Sequence, residues 1–88
     1  MAKKNPLQMS LFDLPVDVAA LRQQAADDVA RLGRVESEML RLHEDIGRAR
    51  ALQNDDEVAR LIRLERGLAN QLSQARQAVQ DWKTRGLL

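Results

Sequence analysis

Apolar residues recur along this chain at alternating steps of three and four. In the first half the series runs Val18, Leu21, Ala25, Leu32, Val35, Met39, Leu42, Ile46 and Ala49, with a break at Asp28. In the second it runs Val58, Leu61, Leu68, Leu72, Ala75, Val79 and Trp82, with a polar Glu65 inside it. Steps of three and four keep every member of a series on one face of an α-helix. A stripe of that kind is stable only against another stripe, so each half predicts a long helix laid along a partner in coiled-coil fashion. Gly33 and Gly47 weaken the first helix by about 1 kcal/mol each relative to Ala, and both fall one position past a seam residue.

Between the two series, Gln53-Asn54-Asp55-Asp56-Glu57 carries no apolar residue. Asn54 followed three residues later by Glu57 reads as a capping box. Asp55 and Asp56 suit the first turn of a new helix, where carboxylates meet the positive end of the dipole. At the start, Pro15 is tolerated in a first turn because its missing N–H would have no partner there. Asp13 reads as the N-cap, and Asp17 adds negative charge near the helix start. Gly86 marks the end of the second helix. The pattern therefore predicts a segment over residues 1–14 and a helical body over 15–88, with helices over about 16–53 and 55–84.

A short connection between two seams of equal period folds the helices back on each other. The expected fold class is all-α, an antiparallel two-helix hairpin. Its facing residues are Leu42 and Ile46 against Val58 and Leu61, Val35 and Met39 against Leu68 and Leu72, and Leu21 and Ala25 near Val79 and Trp82. Val29, Leu40, Ile62 and Leu64 lie off the seam, Ala69 widens it, and this surplus predicts a homo-oligomer: a dimer forming a four-helix bundle. The competing arrangement is one uninterrupted helix dimerising in parallel, with Asn54, Asp55 and Asp56 inside it as poor helix formers.

Composition narrows the function. At 88 residues the chain is one small domain, and Phe12 and Trp82 are its only aromatic residues. Cysteine is absent, which excludes disulfides and thiolate metal sites. The 14 basic and 13 acidic residues leave a formal charge of +1, too balanced for a general drive toward nucleic acid. No apolar run approaches a membrane span, and Met1-Ala2-Lys3-Lys4-Asn5-Pro6 lacks the apolar core of a signal peptide, so a cytoplasmic protein is expected. His43 is the only histidine, so no histidine cluster can form within one chain. Ser10, Ser37 and Ser73 have no adjacent base, and no glycine-rich phosphate loop is present. We therefore expect a non-enzyme that uses no cofactor and no metal.

Arg34, Arg41 and Arg48 recur every seven residues, and Arg60, Arg63 and Arg66 follow near the turn. A basic stripe can track a phosphate backbone. Here, however, Asp27 precedes Arg31, Glu44 precedes Arg48 and Asp56 precedes Arg60 by four. That spacing reads as intrahelical ion pairs on a solvated face, with direct DNA binding weak or absent.

One stretch has no role in either seam: Gln8-Met9-Ser10-Leu11-Phe12. Pro6 favours an extended backbone before it, and Lys3, Lys4 and Asn5 have nothing to bury, so a mobile linear motif is expected. The stretch resembles the pentapeptide Gln-Leu-Ser/Asp-Leu-Phe by which bacterial replication and repair proteins dock on the DNA polymerase sliding clamp. Gln8, Ser10, Leu11 and Phe12 match it, and Met9 replaces a Leu of similar size. The eukaryotic and archaeal clamp peptide has a pair of aromatic residues where this chain has Leu14 and Pro15. The resemblance covers five residues. It implies that Leu11 and Phe12 fill a hydrophobic pocket of the clamp, Gln8 hydrogen-bonds at a neighbouring subsite and Met9 covers the edge. The function expected from it is a replication or repair adaptor, or an inhibitor that occupies the clamp's client site. The rivals are a structural coiled-coil module in which Leu11, Phe12 and Leu14 staple the first helix, and a helical-hairpin nucleic-acid binder.

Overall fold

The structure, a computed structural model, describes residues 17–88. Two helices, α1 (Val18–Ala51) and α2 (Asp55–Thr84), pack against each other as an antiparallel hairpin, with no strand among the described residues. The all-α hairpin expected from the two seams is the fold.

Helix α1 is capped by Asp17, whose side chain accepts the backbone N–H of Ala20 at 3.1 Å. Asp17, valued in the sequence only for its charge, thus satisfies one of the free donors of the first turn. Asp13, the residue expected as the cap, and Pro15 lie outside the described residues. At the other end Gln53 adopts a left-handed backbone with φ 56°. Its N–H reaches the Arg50 carbonyl at 2.9 Å, and the Asn54 N–H reaches the Ala49 carbonyl at 2.9 Å. This pair of bonds is a Schellman motif, which satisfies the last carbonyls of the helix and reverses the chain. Helix α2 ends the same way through Gly86 (φ 78°), with Gly86 N–H on Lys83 and Leu87 N–H on Trp82.

Asn54 also caps α2, its side chain accepting the Glu57 N–H at 3.2 Å. The expected capping box forms by half. The Asn54 N–H is already committed to Ala49, so the Glu57 carboxylate turns instead to Arg60, which holds it with two bonds of 2.6 and 2.7 Å.

The core follows the seam. Ile46, Ala49 and Leu61 are buried together beside the turn, with Leu42, Val58 and Ile62 packed on them. Ile62, expected to be surplus, belongs to this cluster. Val35 and Ala75 are buried midway, and Ala25, Val79 and Trp82 toward the open end. Leu40, Leu64 and Val29 stay exposed on the hairpin. Gly33 and Gly47 lie on the solvent side, with open space where a Cβ would stand.

Candidate functional site

The motif residues Gln8, Met9, Ser10, Leu11 and Phe12 lie outside the described residues. The chain enters α1 at Asp17, at the end of the hairpin opposite the turn. At that open end the Trp82 indole N–H donates to the Asp28 carboxylate at 2.6 Å. The Arg85 guanidinium covers the Trp82 ring, 4.4 Å from its centroid. Asp28, which reads in the sequence as a break, is a working member of the seam. A buried indole needs an acceptor and a half-buried carboxylate needs a donor, and the two meet across the helix pair. Trp82 is therefore bonded one turn further along α1 than the Leu21–Ala25 position expected for it.

The other polar interruption is answered the same way. Glu65, on the seam of α2, takes the His43 imidazole of α1 at 2.6 Å. A second cross-helix pair on the same edge joins Arg76 to Glu36 at 4.0 Å. His43 is half in solvent, and its partner is a carboxylate of the opposite helix. Two polar residues set among apolar ones, each contacting one residue across the seam, favour this alignment of the helices over a slip by a turn. Both interruptions are visible in the sequence; their partners across the seam are not. The available signal was the heptad position: once the turn is placed at Gln53, Glu65 falls near His43, and Asp28 lies on the facing seam about one turn from the level of Trp82.

The arginines do not form the pairs their spacing suggests. Arg48 bonds Asp45 rather than Glu44, and Arg60 bonds Glu57 rather than Asp56. Asp27 receives the Gln23 side-chain amide at 2.9 Å, not Arg31. Both of these intrahelical arginine pairs run at i, i+3, the other spacing that brings helix side chains together. The Arg60 hydrogen bond, reinforced by its charge, holds the Glu57 carboxyl below its usual range. Arg34, Arg41, Arg63 and Arg66 make no ion pair among the described residues. Arg41 and Arg63 line one groove together with Glu38 and Asp45, so the charge there is mixed rather than uniformly basic.

That groove, about 440 Å³ between α1 and α2, has Leu42, Leu64 and Leu68 as its apolar lining. Among the described residues no group of three or more His, Asp or Glu side chains could hold a metal ion. No helix among them is long and apolar enough to cross a membrane. Comparison of the chain with family models, with curated proteins and with solved structures returns no match.

Proposed function

We propose that this chain is a non-enzymatic, cytoplasmic protein that docks on the bacterial DNA sliding clamp through Gln8, Met9, Ser10, Leu11 and Phe12. The hairpin is the body that the motif carries to the clamp. The single observation behind this reading is the pentapeptide itself, standing ahead of the helical pair and outside both of its seams. Leu11 and Phe12 are consecutive large apolar side chains with no position in either heptad series. Burying both in a pocket contributes a few kcal/mol, partly offset by fixing the backbone of the peptide. That balance gives micromolar affinity for one motif. Two motifs carried by one dimer gain further by avidity on a ring with several equivalent sites. Once docked, the protein either brings a cargo held by the hairpin to the replication machinery or excludes other clients from the site.

Calorimetric titration of clamp with wild type and with the Leu11→Ala/Phe12→Ala variant tests this, alongside thermal melts of both. The expected result is saturable micromolar binding by wild type and none by the variant, at equal melting temperature. No heat from wild type at high micromolar clamp overturns the proposal. A variant that melts far lower assigns the two residues to the fold instead, as an N-terminal staple.

A further inference from the structure

The two edges of the helix seam differ. One edge is bridged by His43–Glu65 and Arg76–Glu36. The other is the open groove: Leu42 and Leu68 are only half-buried in it, and Leu64 on its wall is 51% exposed. Across this edge no cross-helix ion pair forms among the described residues, and Glu38, Arg41 and Arg63 are unpaired there. Gly67 leaves a notch in the α2 bank, with nothing within 4 Å of where its Cβ would stand.

We propose that a second copy of this chain occupies the groove, about a two-fold axis parallel to the helices. Each α1 then lies on the partner's α2, with Asp45 of one protomer opposite Arg63 of the other. Charge complementarity is the argument for this occupant and this axis. An isologous interface pairs a patch with itself, so the patch must hold both signs on opposite banks. Here the α1 bank carries Glu38, Arg41 and Asp45, the last already beside Arg48 of its own helix, and the α2 bank carries Arg63. Stacking α1 on α2 of the partner, at the offset the helices already use within the hairpin, brings Asp45 to Arg63 and lays the Arg41 stem over the Gly67 notch. Stacking α1 on α1 about a perpendicular axis centred midway between Glu38 and Asp45 sets these two carboxylates against each other, which is repulsive. The Leu64 side chains, exposed in one copy, are covered by the other. Both protomers then enter their first helix at the same end of the bundle. This inference stands independently of clamp binding.

Sedimentation equilibrium of the full chain is the test, with helicity measured on each variant. Wild type is expected at twice the monomer mass, and Leu64→Glu at the monomer mass with unchanged helicity. Leu40→Glu, on the far edge, is expected to stay dimeric. Asp45→Arg and Arg63→Asp should each raise the dimer dissociation constant about tenfold, and mixing the two variants should restore it. In the mixed dimer both interchain positions again pair opposite charges, one in the original order and one reversed, which an intrachain contact could not produce. A wild-type monomer throughout the micromolar range overturns the proposal. So does dissociation by Leu40→Glu but not by Leu64→Glu, or a mixture no tighter than its components. If Leu64→Glu loses helicity, the charge-reversal mixture decides alone.

Discussion

The two ends of the hairpin are held by different physics. Beside the turn, Ile46, Ala49 and Leu61 are buried under Leu42, Val58 and Ile62, and the backbone reverses through a Schellman motif and an Asn54 cap. That end is an apolar cluster with a tightly bonded chain reversal. At the open end, Trp82 is buried while its indole N–H goes to Asp28 and its face takes Arg85. Apolar burial is strong and non-directional, so it supplies stability without choosing among registers. A hydrogen bond between single residues contributes less but has one geometry. The seam at the turn end is therefore held by apolar burial alone, whereas the open end, where Ala25, Val79 and Trp82 are also buried, adds a directional bond that favours one alignment.

The largest expected effect lies at the turn. Leu61→Ala removes a buried side chain from the apolar cluster and should cost about 2–5 kcal/mol in chemical denaturation. A cost under about 1 kcal/mol would show that the cluster collapses around the gap, and the contrast between the ends would disappear. At the open end Trp82→Phe keeps a ring but removes the donor, leaving Asp28 half-buried without it. The expected loss is about 1–2 kcal/mol. The sharper measurement is a double-mutant cycle with Asp28→Ala, in which the second substitution should add little to the first. Simple additivity would mean that the 2.6 Å bond contributes nothing net. The smallest effect is a gain. Gln53 holds a left-handed backbone that glycine adopts at less cost, so Gln53→Gly should raise stability by about 0.5–1 kcal/mol in thermal melts. A loss would show that the Gln53 side chain contributes to the turn beyond its backbone.

Much of this could be read from residue spacing. Period and polarity placed both seams, and Asn54 with its acidic followers placed the turn, because these features act within a few residues of themselves. The ion pairs were only half legible. Spacing shows that Arg48 and Arg60 have acidic neighbours, but i, i+3 and i, i+4 partners compete at similar energies. Rotamers chose Asp45 and Glu57. For the candidate site, Gln8–Phe12 was legible as a motif because a linear peptide is defined by consecutive residues. The groove was not, since Arg63 and Asp45 stand on different helices and Gly67 is unremarkable in the sequence of α2.

By itself the sequence determined that two amphipathic helices form, that they reverse near Asn54 and that each seam has one polar member. Those outcomes follow from local propensity, capping and the burial of a stripe. Only the tertiary structure decided that Asp28 answers Trp82, that Glu65 answers His43 and that one edge of the seam is bridged while the other stays open. These depend on the rotation of each helix about its axis, which alternating three-four spacing leaves undetermined to within part of a turn. Packing the apolar side chains and satisfying two half-buried carboxylates together select it.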